Sequence, residues 1–409
     1  MVYDLIIIGA GAAGSAAAIS AKDRGMNVLL LEQNSRLGKK ILITGNGRCN
    51  ISNSSSCKND YHSDNLLFFK SVIENFSSKD TKDFFYTIGL PIIELEGNKL
   101  YPMSLQASSV VDLLKLAIEE RNINIEYNYK VKNINLQNNI FHINSKEDIS
   151  FCSKNLLICT GGNSYASTGS DGSGYSLAKS LGHHIITPLP CLVQLKLDFD
   201  KLKALSGIRL EGSCEICQDN KALRKCYGEL LFTDYGISGP PVLQVSRIAS
   251  KLYDKKNVKL HIDLLPNMSI NELKEFLLNH WALFSYRSVF NSLIGILNKK
   301  LIPVFLKCCG VEEIHKEVYN LTWDEQLSII NTMKCWSFNV SGVNTFSNAQ
   351  VTCGGVDTTD VNNETIESRI VPNLYFAGEI LDVDGDCGGF NLQWAWASAI
   401  TAVNNMRTI

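Results

Sequence analysis

The chain has 409 residues, more than one hydrophobic core usually covers, which predicts two or three domains. Its 45% hydrophobic and 20% charged content is that of a globular protein, and a net charge of −2 excludes a whole-molecule electrostatic footprint for nucleic acid while leaving a local basic patch open. Thirteen cysteines and no secretory leader predict reduced thiols and a cytoplasmic location.

Residues 3–8 form a short β-branched apolar run suited to a strand buried on both faces. Gly9, Gly11 and Gly14 follow as G-x-G-x-x-G, residues 12–22 are alanine-rich and helix-forming, and residues 28–31 give a second strand ending at Glu32. This is a βαβ unit. Gly9 permits the tight turn, Gly11 lets a pyrophosphate approach the backbone, and Gly14 allows close helix–strand packing. The helix N-terminus offers free N–H groups, and Glu32 stands where a carboxylate accepts from an adenosine ribose. An acid there suits FAD or NAD and disfavours NADP. The apolar stretch 5–21 has no positive charge ahead of it and is punctuated by glycine. It is therefore read as strand, turn and helix, not as a signal peptide or membrane span.

"GKKILITGNGRCNIS", residues 38–52, places a second glycine-rich turn where a simple NAD domain would proceed to a crossover helix. Lys39, Lys40 and Arg48 can offset pyrophosphate charge, and glycine at 45 and 47 can lie against a flat ring. Lys39 alone would be read as a solvated charge; the whole block is read as part of a cofactor site. Residues 156–162 are a buried strand running into Thr160-Gly161-Gly162, a further point of backbone approach.

Residues 190–265 carry several short alternating or β-branched segments, with Asp219-Asn220 as a turn between two of them. Residues 266–336 read as helices, with capping boxes at Ser269…Glu272 and Thr322…Glu325. Cys214-x-x-Cys217 invites a metal reading, but odd spacing on a strand sends the two thiols to opposite faces. No second Cys-x-x-Cys or His pair completes a site, so structural thiols and no metal are expected. Cys308-Cys309 is read as packing. His183 and His184 are read as loop residues.

Near the C-terminus, residues 374–377 form a strand, and Gly378-Glu379 then brings a carboxylate to where a ribityl chain needs one. After Asp386 and Cys387, the run Gly388-Gly389-Phe390-Asn391-Leu392-Gln393 opens a helix whose free N–H groups suit a flavin pyrimidine edge, anionic on reduction. NAD has neither a ribityl nor such an edge, so FAD explains both ends of the chain together.

"GKKILITGNGRCNISN", "YPMSLQASSVVDLL", "CTGGNSYASTGSDGSGYSLAKSLGH", "GELLFTDYGISGP" and "FAGEILDVDGDCGGFNLQWAWAS" resemble the signature blocks of the BaiN-like FAD-dependent oxidoreductases, distant relatives of the glutathione-reductase type. The blocks stand in family order over nearly the whole chain. The resemblance implies an α/β fold: a Rossmann-type FAD-binding domain split in sequence (residues 1–189 and 337–409), an inserted β-rich, barrel-like domain (190–265) and a small helical insert (266–336). Carried over by position, the cofactor contacts are Gly9, Ala10, Gly11, Ala12, Ala13, Gly14, Glu32, Gln33, Lys39, Lys40, Thr44, Gly45, Asn46, Gly47, Arg48, Cys49 and Asn50. Thr160, Gly161, Gly162, Gly378, Glu379, Asp386, Gly388, Gly389, Asn391, Leu392 and Gln393 complete the set, with Val131 meeting the adenine through its backbone. Asp234, Gln106 and Ala399 depart from residues common in relatives and bear on the substrate, not the cofactor. His183 matches a family histidine.

Three reactions are open. The resemblance favours an NAD(P)H-dependent reductase of a C=C bond conjugated to a carbonyl, in a bile acid or similar enone. The same chemistry on a uracil ring would make a ribosomal RNA dihydrouridine synthase, with RNA as partner. A flavin amine oxidase of the aminoacetone type is the third. A disulfide reductase is disfavoured, because Cys49 is followed next by Cys57 and no Cys-x4-Cys pair follows the second turn. No second dinucleotide fingerprint is present, so NAD(P)H is expected to dock directly over the flavin. A small molecule is the expected substrate, and no catalytic residue is assigned; Tyr235, Asp234, Arg48, Cys49 and Asn50 are candidate site-lining groups.

Overall fold

The computed structural model describes residues 1–55, 58–252 and 257–407. It divides into two compact units, Met1–Pro190 with Ala349–Ile409, and Cys191–Asn348.

The first unit is built on a seven-stranded sheet. Strand β1 (Val2–Ile8) lies parallel between β2 (Val28–Leu31) and the strand Ser150–Ile158, with Ile8 in register with Leu31 and with Ile158. Asn124–Glu126 extends the sheet beyond β2, and Leu374–Phe376 runs parallel to Leu156–Ile158. On the other side Ser150–Ser153 continues antiparallel into the hairpin Val131–Gln137 and Ile140–Ser145. Leu5, Ile6 and Ile7 are fully buried, as a strand covered on both faces requires. Helix α1 (Ala12–Asp23) presents the buried alanines Ala16, Ala17 and Ala18, and it packs against the C-terminal helix Phe390–Asn405, whose own Ala397, Ala399 and Ala402 are buried. Small residues on both sides let the two helices approach closely.

The second unit is a closed barrel of six strands with helices packed on it. Around the barrel the neighbours are Leu195–Asp198, Gly236–Ser238, Lys221–Phe232, Arg209–Gln218, Val258–Asp263 and Trp336–Val343. Asp219 and Asn220 both take positive φ (48° and 64°), the conformation of a tight hairpin between the two longest strands. Both expected capping boxes form, at Ser269 with Glu272 and at Thr322 with Glu325. Trp336 sits in an aromatic cluster, with ring centroids 4.9 Å from Phe338, 5.6 Å from Phe305 and 5.9 Å from Phe232.

Two boundaries differ from the sequence reading. Residues 337–348 do not return to the first unit, because Trp336–Val343 closes the barrel between Leu195–Asp198 and Val258–Asp263. The alternation of buried and exposed residues along W-S-F-N-V-S-G is that of a half-buried strand. Nor do the helices of 266–336 stand apart: Leu273, Leu277, Phe305 and Ile330 share one core with Leu260, Ile262 and Phe338 of the barrel. Among the described residues no helix is long and apolar enough to cross a membrane.

Trp336→Ala removes the indole at the centre of that cluster and should destabilise the protein by about 3–5 kcal/mol, the range for a large aromatic truncated in a core. Equilibrium urea unfolding reads this directly, and a loss below about 1 kcal/mol would place the indole outside the core.

Candidate cofactor site

One elongated cavity lies in the first unit, along the carboxyl ends of β1, β2 and Ser150–Ile158. Its wall includes Gly9, Ala10, Gly11, Ala12 and Ala13, then Glu32, Gln33, Lys39, Lys40 and Thr44. Val131, Thr160, Gly161, Gly378, Glu379, Asn391 and Leu392 complete the predicted set on that wall. Residues spread from 8 to 395 in the chain converge here.

The turn after β1 shows what each glycine does. Gly9 takes φ of 102°, and a Cβ there would lie 2.6 Å from the Cys159 carbonyl oxygen. A Cβ on Gly14 would overlap the Gly9 carbonyl oxygen. Gly14 is therefore a packing glycine and lies off the cavity. Gly11 is different: its Cβ would meet nothing within 4 Å, yet it lines the cavity. Glu32 is buried and braces this turn, accepting from Ala10 N at 2.9 Å and from the Asn34 backbone N and Nδ2 at 2.7 Å. Asn34 in turn accepts from Lys39 Nζ at 2.9 Å, and Gln33 Nε2 donates to the Gly169 carbonyl at 2.5 Å.

Two cationic expectations are redrawn. Lys40 is paired with Glu379, Nζ to Oε2 2.6 Å, so each neutralises the other on the cavity wall. Glu379 Oε1 also accepts from Thr352 N at 2.8 Å, which fixes the carboxylate. Arg48 lies with Gly45, Asn46 and Gly47 on an exposed turn that does not line this cavity. That turn runs through left-handed backbone at Gly45 (φ 55°), Asn46 (55°), Gly47 (81°) and Cys49 (58°), closed by Cys49 N donating to the Thr44 carbonyl at 3.0 Å. Cys49 is fully buried, which pushes its thiol up to about 12; it packs the turn and does not face the cavity. Cys57 lies outside the described residues.

The C-terminal segment departs further. Gln393 is fully buried and consumed by packing: Oε1 accepts from Ser52 Oγ at 2.6 Å and from Thr81 Oγ1 at 2.7 Å, and Nε2 donates to the Phe76 carbonyl at 2.9 Å. It does not line the cavity. Asp386 pairs with His62 Nε2 at 2.8 Å. Gly388 accepts from Asn53 Nδ2 at 3.1 Å through its carbonyl, and a Cβ on Gly389 would collide with the Ser52 carbonyl oxygen. These residues seat the N-terminus of the last helix against residues 50–53. Gly162 is likewise a packing residue, since a Cβ there would lie 2.5 Å from Thr352 Oγ1. His183 is buried, donating from Nδ1 to the Ala178 carbonyl at 3.2 Å, with Nε2 2.7 Å from Ser368 Oγ. Burial lowers its pKa, so it is a neutral packing residue. Asp234 and Tyr235 belong to the barrel unit.

Sequence reading missed Ser170. Thr160 Oγ1 and Ser170 Oγ are buried on the cavity wall with no hydrogen-bond partner. Asn50 Oδ1, a named contact, is buried and open too, beside Gly389 and off that wall. Buried hydroxyls are almost always satisfied, so two open ones facing a cavity fit a polar ligand that completes them. With Gly11 open at a helix N-terminus and a buried carboxylate behind it, the wall offers the close backbone approach and polar groups that FAD needs.

The fold and this cradle define a Rossmann-type flavoprotein oxidoreductase. The chain belongs to the family described as HI0933-like protein Rossmann domain, whose profile matches residues 3–405. It is 37% identical over 401 residues to the 3-dehydro-bile acid delta(4,6)-reductase of Clostridium scindens, covering 97% of each chain. It is 32% identical over 400 residues to the ribosomal RNA dihydrouridine synthase of Escherichia coli, covering 97% of this chain and 96% of that one. The Haemophilus influenzae enzyme of the same name is 33% identical over 404 residues, covering 96% of each. Among solved structures, 3-ketosteroid delta1-dehydrogenase from Sterolibacterium denitrificans superposes with a TM-score of 0.51 at 12% identity, over 98% of this chain and 99% of that one, which shows a shared fold.

Gly11→Val should separate folding from binding. The new side chain has free space in the protein but fills the pyrophosphate position, so the variant should purify folded by far-UV circular dichroism and colourless. Gly14→Val, by contrast, should fail to accumulate. A yellow Gly11→Val protein with full FAD content would contradict the placement of the pyrophosphate.

Proposed function

We propose that the protein is an FAD-dependent reductase of a C=C bond conjugated to a carbonyl, acting on a small, largely apolar polycyclic substrate with NAD(P)H as donor. The observation that carries the reading is the 37% identity, over 97% of both chains, to a bile-acid enone reductase. When bound, FAD supplies hydride transfer between nicotinamide and the conjugated bond. The chain's own part is to hold and orient: Gly11 and the α1 N-terminus for the pyrophosphate, Glu32 for the ribose, and Glu379, fixed by Lys40 and Thr352, for the ribityl hydroxyls.

A proton must also reach the substrate carbon next to the carbonyl. Tyr101 stands against the second glycine turn, its Cε1 3.4 Å from where a Gly45 Cβ would be. We place the donor at this hydroxyl from its position beside the turn; burial raises its pKa, which keeps it protonated but makes it a weaker acid than an ordinary tyrosine.

Ribosomal RNA is the second reading, supported by the two dihydrouridine synthases at 32% and 33% identity. Charge in the barrel unit weighs against it. Arg209 is paired with Glu229 at 2.8 Å and Lys225 lies across the strands from Glu215, while Lys221 and Arg224 lie across from Gln218 and Ile216, so Arg209 and Lys225 at least are set against acids. A phosphate-tracking surface concentrates one sign.

Anaerobic titration with NADH and then NADPH should bleach the flavin with at least one of them. Adding a 3-oxo-Δ4 steroid should then restore the yellow colour, while a ribosomal RNA fragment should not. Reoxidation by RNA alone would establish the second reading, and no bleaching would remove the pyridine nucleotide as donor. Tyr101→Phe should bleach normally but slow steroid-dependent reoxidation by about 10²-fold, the scale of a lost general acid.

A further inference from the structure

The barrel unit carries a second constellation that the flavin chemistry does not use. Glu215 and Cys217 lie two residues apart on Arg209–Gln218 and so share a face, while Cys214 and Ile216 point into the barrel core. His261, on Val258–Asp263, is paired directly across from Glu215. Cys217 Sγ is 3.6 Å from His261 Nδ1 and 3.8 Å from Glu215 Oε2, and one ligand atom from each of the three residues lies within 4.8 Å of the others. Cys217 is buried, whereas Glu215 and His261 are half-buried, so the group opens to solvent on one side.

We propose that Glu215, Cys217 and His261 form a zinc-binding site on the outer wall of the barrel, with water in the fourth position. One thiolate, one imidazole and one carboxylate is a donor set that zinc accepts. Tetrahedral zinc, with Zn–S of about 2.3 Å and Zn–N of about 2.0–2.1 Å, holds sulfur and nitrogen roughly 3.6 Å apart. The observed 3.6 Å between Cys217 Sγ and His261 Nδ1 already meets that requirement without moving either strand.

The charge around the three groups sets what binding must do. A divalent cation among the three would favour the thiolate and the neutral imidazole together. Lys225 across from Glu215 and Lys259 beside His261 limit the negative charge, so binding must release the Cys217 proton. Strand parity rightly separates Cys214 from Cys217, but it says nothing of His261, 44 residues further along and brought alongside by register. The expectation of no metal rested on that gap.

The flavin-loaded, full-length protein, treated with EDTA under a phosphine reductant and desalted, would be titrated with zinc chloride by calorimetry and its metal content measured. One zinc per chain is expected, with proton release on binding. Glu215→Gln, His261→Gln and Cys217→Ser should each weaken binding by more than about tenfold while leaving the flavin spectrum unchanged. Glu215→Gln removes a half-exposed charge without changing shape, so it keeps the test valid if Cys217→Ser proves unstable. No stoichiometric zinc, or zinc bound equally well by all three variants, would overturn the proposal.

Discussion

The first unit depends on a crossing of three backbones with no side chain between them. Gly14 at the start of α1 lies on the Gly9 carbonyl, and Gly9 lies on the Cys159 carbonyl at the end of the adjoining strand. Any Cβ at either position would force these segments apart. Because they touch, the first turn of α1 is held over the ends of two parallel strands, and its unsatisfied N–H groups face the groove between them. The buried alanines of α1 continue this close approach against the C-terminal helix, which brings residues near 390 to residues near 50. A cofactor lying along this cavity then has a wall made from both ends of the chain.

Charge on that wall is arranged before any ligand arrives. Glu32 is held by backbone N–H groups, Lys39 by Asn34, and Lys40 and Glu379 by each other. Fixed partners remove rotamer freedom that a ligand would otherwise have to freeze, the general basis of preorganisation. The cost is that Lys40 is no free counter-charge for pyrophosphate. Lys39, hydrogen-bonded to an uncharged amide, stays on the wall, and the dipole and N–H groups of the α1 N-terminus add to it.

Local signals were legible in the sequence and tertiary ones were not. β1, α1 and β2 declared themselves through apolar runs, alanine and glycine spacing, and both capping boxes formed where Ser or Thr preceded Glu by three. Gln393 could not be read correctly, because its partners Ser52, Thr81 and Phe76 lie more than 300 residues away. Arg48 is a related case: charge near a glycine turn is a good prior for phosphate, but along the left-handed run from Gly45 to Cys49 it is exposed and off the cavity wall. Trp336–Val343 was in principle readable from its strict alternation, but the preceding helical pattern masked its start. The open hydroxyls of Thr160 and Ser170 carry no sequence signal, since an unsatisfied hydroxyl exists only in three dimensions.

The central claim is that the wall formed by the first glycine turn, Glu32 and Glu379 holds one FAD. Acid release of the pigment from freshly purified protein, followed by chromatography and phosphodiesterase treatment, tests it most directly. The account predicts one flavin per chain, whose fluorescence rises on cleavage because FAD yields FMN. Release of FMN itself, or of a nicotinamide dinucleotide with no flavin, would contradict it.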